Sequence, residues 1–339
     1  MTITNRSDNP GYASDLDRVE GTYILYIGMS KEKCALSFSE KERICENEFK
    51  TNGPFWHIYT DGTRMQNIFC TKEEFEIGLW MLASTRCMCP KVRLATFELM
   101  ENHGHLILCG QKENCIEFFE IFFSRLRRTL TRIGCMINWD NFQMGILPIN
   151  SLQDLRNEII YTNRNAFVAN GNYTPDSYPW GGGCAFFNGW IDEIPTVLMS
   201  NLPINKQRRY LHTKDVAPFK DLHVIGNRPF IPSFCDIKLA ERMFRDPRSY
   251  FNSLTRNAEA FSQIANRLGD RIFLTDEELY SVMIAHTVQE FGQNKPSQLT
   301  PQQRVDVARY LHLNYNATNQ QLRRILRIDI SILSELFPQ

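Results

Sequence analysis

Apolar and polar positions along this chain fall into blocks with readable periods. Pro54-Phe-Trp-His-Ile-Tyr-Thr60 has the composition and length of a strand, and Asp61-Gly62 after it is a turn signal. Thr71-Lys-Glu-Glu74 sets a threonine three residues ahead of a glutamate, so each side chain satisfies the other's free backbone N–H; a helix opens there and runs to about Ser84. Val92 to Leu99 and Glu101 to Leu108 are apolar runs of strand length with a short turn between them. From Ile116 to Ile133 the period becomes helical, with Phe119, Phe122, Leu126, Leu130 and Ile133 on one face. A short strand is expected at Gln143 to Pro148. A helix follows from about Leu152 to Phe167, burying Leu155, Ile159 and Ile160, with a stop at Ala169-Asn-Gly171.

Upstream of residue 54 the pattern is weaker: Thr22 to Ile27 reads as a strand and Ser39 to Phe49 as a polar helix. Residues 185–255 hold short apolar runs, scattered prolines and the cluster Lys206-Gln-Arg-Arg209, which suggests a connector with a few helices. Beyond Pro247 the pattern is helical. Thr300-Pro-Gln-Gln303 starts one helix, with Val305, Ala308 and Leu311 as its apolar face; Thr318-Asn-Gln-Gln321 starts a second, carrying Leu322, Ile325 and Leu326. A short turn at Arg327 to Asp329 leads to Ile330 to Phe337, an arrangement like a helix-turn-helix. The fold class expected is therefore α+β: a ferredoxin-like domain with an antiparallel sheet, then a mostly α-helical C-terminal region with a helix-turn-helix-like end. The divisions are an N-terminal extension at 1–50, a chemistry-bearing domain at 51–182, a connector at 183–255 and a helical domain at 256–339.

Composition narrows the class. With 339 residues, 43% of them apolar, the chain has material for real cores. No run approaches ~18 consecutive apolar residues, so no membrane span is expected, and the polar N-terminus lacks a signal-peptide core. The ten cysteines form no framework; they read as reduced, mostly buried thiols of a cytoplasmic protein, and the Cys87-Met-Cys89 spacing is wrong for a zinc knuckle. A net charge of zero argues mildly against nucleic acid. Positive charge is nonetheless concentrated at Arg125 to Arg132, Lys206 to Arg209 and Arg323 to Arg327, and local distribution matters more than the sum.

The candidate chemistry begins at Leu99-Met-Glu-Asn-His103-Gly-His105-Leu-Ile-Leu108. Residues two apart on a strand share a face, so His103 and His105 would project together, either as a metal-binding pair or as two surface histidines at a strand edge. Tyr161 and Asn165, four apart on a helix, lie one above the other. Tyr173 and Tyr178 are rival hydroxyls, but they sit in a turn segment beside Pro175 and Pro179 and lack the Asn165 neighbour. His57 reads as a core or supporting histidine, and His212, His223, His286 and His312 have no partner spacing. Arg125, Arg128 and Arg132 recur at i, i+3 and i+7 opposite the phenylalanine face, either as a solvated stripe or as contacts to a DNA backbone.

Together, Met100-Glu-Asn-His103-Gly-His105-Leu, the strand Trp56-His-Ile58, Ile68-Phe69 and the segment Tyr161 to Trp180 resemble the single-strand transposases of insertion sequences. They resemble more closely the domesticated relatives of these enzymes, the REP-associated tyrosine transposases of the HUH endonuclease superfamily. The resemblance covers roughly residues 54–182. It implies that His103 and His105 bind a divalent ion, Mg²⁺ or Mn²⁺, that Asn165 completes the metal site, and that Tyr161 is the nucleophile that cuts single-stranded DNA. It also implies a covalent 5′-phosphotyrosine, a released 3′-hydroxyl, and a site able to rejoin strands. Ala166 stands where the family has proline, and Gly181-Gly182 where it has a serine pair; neither change removes a catalytic group. Arg323, Arg324 and Arg327 are expected to contact phosphates of single-stranded or hairpin DNA, while Ile330 to Leu336 is poor in donors that reach bases. A homodimer is compatible with this reading. The alternatives are a catalytically silent DNA-binding regulator and a metal-dependent phosphoester hydrolase using water.

Overall fold

The computed structural model describes residues 36–62, 65, 67–169, 173, 174, 176–256, 264, 265, 267, 268 and 274–338. The strand expected at Thr22 to Ile27 lies outside them. The chain opens with helix α1 (Phe38–Asn52), and then the strands follow the apolar runs: β1 (Phe55–Thr60), β2 (Arg93–Leu99), β3 (Gly104–Cys109) and β4 (Met144–Ile149). Helix α2 (Lys72–Met88) joins β1 to β2, and α3 (Lys112–Arg132) joins β3 to β4. The sheet order is β2-β3-β1-β4 and every neighbouring pair is antiparallel. The capping box of Thr71 and Glu74 forms as expected. The helix it starts continues past Ser84 to Met88, because the Ser84 and Thr85 hydroxyls donate back to the Met81 carbonyl at 3.1 and 2.8 Å instead of competing for other backbone groups.

Alternation gives the two faces of this sheet different chemistry. Thr60 and Leu106 meet Phe119, Phe122 and Leu126, the apolar face of α3. His57, Thr96, Glu98 and His105 point the other way, toward α4 (Leu152–Ala169). Leu155, Ile159 and Ile160 of α4 are buried, as the sequence pattern required. What fixes α4 in place, however, is polar. The Thr96 hydroxyl donates to Asn163 Oδ1 at 2.6 Å, Asn163 Nδ2 donates to the Tyr250 hydroxyl at 2.9 Å, and the Glu98 carboxyl accepts the Ala166 N–H. Such groups survive burial only with partners, so this layer restricts where α4 can sit. Arg156 of α4 also forks onto Glu42 of α1 at 2.7 and 3.1 Å.

Residues 183–256 contain α5 (Ile204–Leu211), α6 (Ile237–Glu241) and α7 (Pro247–Arg256), together with a small antiparallel sheet of Val197–Leu198, His223–Ile225 and Arg228–Pro229. The small sheet is an addition to the helices expected of the connector. Its surroundings share the hydrophobic cluster of the main sheet: Trp80 stacks on Tyr210 at 4.9 Å and donates to the Asn227 carbonyl at 2.8 Å.

The C-terminal helices are α8 (Asp276–Phe291), α9 (Pro301–Tyr315), α10 (Asn319–Leu326) and α11 (Ile330–Leu336). Thr275, Thr300 and Thr318 close three capping boxes with Glu278, Gln303 and Gln321. Asn316 and Arg327, at φ 49° and 56°, turn the chain after α9 and α10. Met283, Val307, Leu311, Leu322, Leu326 and Leu333 form a second hydrophobic cluster, which also takes in Tyr161 of α4. Among the described residues no helix is long and apolar enough to cross a membrane.

Candidate functional site

His105 lies in β3, opposite Tyr59 of β1 and Glu98 of β2, so all three face α4. His103 lies just before the strand rather than in it. The turn that holds it is closed by the Met100 N–H donating to the His103 carbonyl at 2.8 Å. The two rings stand edge to face with centroids 5.0 Å apart. Asn165 of α4 caps both: its Nδ2 is 3.0 Å from His105 Nε2 and 3.4 Å from His103 Nε2. The Tyr161 ring lies one helical turn earlier, 5.4 Å from the His105 ring and perpendicular to it. His103, His105, Asn165 and Tyr161 therefore come together at one place, between β3 and the face of α4.

The rest of the arrangement is buried and hydrogen-bonded. His57 Nε2 is 3.1 Å from His105 Nδ1, and His57 Nδ1 donates to Glu158 Oε2 at 2.7 Å. The Arg267 guanidinium pairs with the other Glu158 oxygen. On the outer side, Asn102 Oδ1 lies 2.7 Å from His103 Nδ1 while Asn102 Nδ2 donates to the Gly62 carbonyl at 2.7 Å. Burial pushes His103 down to about 4, against the opposing pull of Asp61. Burial, with His103 and His57 alongside, pushes His105 well below the ordinary imidazole value. Both rings are therefore neutral near pH 7, the state in which imidazole nitrogens bind metals. Among the described residues no group of three or more histidine, cysteine, aspartate or glutamate side chains is placed to hold a metal ion. The donor set available is two imidazoles and an amide, and it fits a cation only if the Asn165 amide takes part.

Of the residues that hold the pair, Glu158 was not identified from the sequence, whereas His57 reads there as a core or supporting histidine. Glu158 had a visible signal: Glu158, Tyr161 and Asn165 recur at i, i+3 and i+7 on one helical face. The remaining candidates lie elsewhere. Tyr178 donates to the Leu99 carbonyl at 2.7 Å, and burial pushes its phenol up. Arg125 turns inward, donating to the Ser84 hydroxyl at 3.0 Å and the Leu211 carbonyl at 3.3 Å, which leaves Arg128 and Arg132 exposed on that helix face. Arg324 forks onto Asp276 at 2.5 and 3.0 Å; Arg323 and Arg327 are exposed beside it.

Tyr161 itself is only 1% exposed, covered by the C-terminal cluster. Beside it, Arg164 of α4 and Glu278 of α8 form a buried ion pair. Comparison with protein-family models, curated proteins and solved structures yields no match to this chain.

Proposed function

We propose that this chain is a metal-dependent tyrosine endonuclease and strand transferase of single-stranded DNA, related to the REP-associated tyrosine transposases. The observation that carries the reading is the convergence of His103 Nε2 and His105 Nε2 on the Asn165 amide, one helical turn from Tyr161. The β-α-β-β-α-β order with its antiparallel sheet supports a ferredoxin-like domain beneath that site. His103, His105 and Asn165 would hold a divalent cation, which supplies charge neutralisation at the phosphate and orients it for in-line attack. Two nitrogen donors suit Mn²⁺ better than Mg²⁺, the harder oxygen-seeking ion.

In the reaction, the Tyr161 hydroxyl gives up its proton to solvent and its oxygen bonds to phosphorus. The P–O3′ bond breaks, and the departing 3′-oxygen takes a proton to become the 3′-hydroxyl. The phosphotyrosine retains the phosphoester bond, so a second 3′-hydroxyl can reverse the step and rejoin strands. Single-stranded or hairpin DNA is held through its phosphates by Arg128 and Arg132 and by the helix-turn-helix-like end. There Lys295, Arg304, Arg324 and Arg327 line an open cavity of about 830 Å³.

The burial of Tyr161 favours one second reading, a silent DNA-binding regulator descended from such an enzyme. The deciding experiment incubates the full chain with a labelled pool of hairpin-bearing single-stranded DNA and Mn²⁺, followed by a denaturing protein gel. A labelled band absent in Tyr161→Phe and reduced in His103→Ala is the expected result. DNA binding without any adduct would establish the regulator, and cleavage that survives Tyr161→Phe would establish a water-using hydrolase.

A further inference from the structure

The cavity of about 830 Å³ in the C-terminal region is bounded by the first turns of α8, the segment from Lys295 to Ser297, Arg304 of α9 and the end of α10 through Arg327. Four cations line it against two carboxylates, in a chain whose net charge is zero. One cation is already engaged: Arg324 forks onto Asp276 at 2.5 and 3.0 Å, and the two charges cancel. Lys295, Arg304 and Arg327 make no side-chain ion pair or hydrogen bond among the described residues. Glu277 is the carboxylate left to oppose those three, so the walls carry an excess of two positive charges.

Arg304 is the least satisfied of them. Its Nε is buried and meets no acceptor among the described residues. Buried donors in folded chains are partnered almost without exception, so a half-buried guanidinium without one marks a place for an anion. Arg327 stands at φ 56°, where glycine would sit without strain, and the arginine keeps a cation at the cavity edge instead. Tyr280, one turn into α8, lines the same space and is 42% exposed, so its ring offers a face on which a base can stack.

We propose that this cavity binds one nucleotide through a terminal phosphate, with the phosphate monoester among Lys295, Arg304 and Arg327 and the base on the Tyr280 ring. A phosphodiester inside a strand brings one negative charge. A monoester brings about −1.5 to −2 near pH 7, which matches the excess on the walls. The volume agrees as well: cavities for ligands of this size span about 300–1,000 Å³, and a phosphate in mid-strand needs only a surface. The same chemistry arrives from two sources, the phosphorylated end of a DNA strand or a free mononucleotide. This role rests on reading the cavity as a phosphate site and needs neither the cation site nor Tyr161.

The test is isothermal titration calorimetry of the metal-free full chain at low salt. The ligands are dAMP, deoxyadenosine, inorganic phosphate, and one short single strand phosphorylated at its 5′ end, at its 3′ end or at neither. A phosphorylated ligand is expected to bind about 10-fold or more tightly than its unphosphorylated counterpart. Preference for a phosphorylated strand over dAMP identifies the strand end as the source; equal affinity identifies the free nucleotide. Lys295→Ala, at an exposed position, and Arg304→Ala are each expected to weaken phosphorylated ligands about 10-fold and to leave the others unchanged. Tyr280→Leu is expected to weaken dAMP about 5-fold or more, and Tyr280→Phe to bind it as the wild type does. If neither dAMP nor a phosphorylated end binds more tightly than its counterpart, the proposal is overturned. Inorganic phosphate matching dAMP overturns the nucleotide, and full affinity in Lys295→Ala overturns the location even where Arg304→Ala does not fold. Absence of a covalent DNA adduct, with these affinities as stated, counts against the tyrosine chemistry and leaves the nucleotide site standing.

Discussion

Gly62 shows how closely the histidine pair is enclosed. A Cβ there would stand 2.8 Å from His103 Nδ1, and that ring is already fixed by Asn102. Gly62→Ala is therefore expected to displace either the ring or Asn102. Overpacking of this kind costs about 1–3 kcal/mol, measurable by urea unfolding, and at the proposed cation site Mn²⁺ binding should weaken with it. At this scale the sequence was readable where a local period carried the information. His103 and His105 were recognisable from a spacing of two, and Tyr161 with Asn165 from a spacing of four. Glu158 and His57 are 101 residues apart, and nothing in the local pattern of either one names the other.

Among the elements, α1 illustrates a contact that no periodicity announces. The helix itself was visible as a polar segment, but its attachment depends on Glu42 meeting Arg156 of α4 and Arg245, which precedes α7. The Arg156 hydrogen bond, outweighing partial burial, holds the Glu42 carboxyl below its ordinary value. The unfolded chain therefore binds the proton more tightly than the native one. The contribution is complete above pH 4.5 and is lost as pH falls through the lower native value. Glu42→Gln is expected to cost about 1 kcal/mol near neutral pH and to flatten the acid limb of the stability curve; the check is chemical denaturation across that range. The main-sheet strands and the capping boxes at Thr71, Thr300 and Thr318 were legible because each rests on neighbours within a few residues. The box at Thr275 carries the same Thr-x-x-Glu signature and was readable in principle. The strands at 197–198, 223–225 and 228–229 are too short to show any alternation and are defined only by pairing with one another.

Across the whole molecule, the two hydrophobic clusters meet at Tyr161, with Tyr59 and Leu147 of the main sheet packed against the C-terminal side. Glu278 does two jobs at that junction. Its carboxylate accepts the Thr275 N–H at 2.9 Å to cap α8, and it pairs with the buried Arg164. Removing one partner of a buried pair is far more costly than losing a surface one, about 3–5 kcal/mol. Glu278→Ala should therefore loosen the C-terminal helices selectively. Faster amide hydrogen exchange is expected in α8, α9 and α10, while β1 and β3 keep their protection; uniform loss across both clusters would show that they unfold together instead. On the proposed tyrosine chemistry, loosening the cover is also expected to raise the yield of DNA adduct at early times.

The placement of Tyr161 within that cluster also has a kinetic signature. If Tyr161 is the nucleophile proposed above, a strand can meet its hydroxyl only in the fraction of molecules whose cover has opened, so the observed rate should climb with DNA concentration and then level off at the opening rate. That plateau would be insensitive to the identity of the leaving nucleotide and steeply dependent on temperature, as a local unfolding event is, whereas a chemistry-limited reaction would show the reverse.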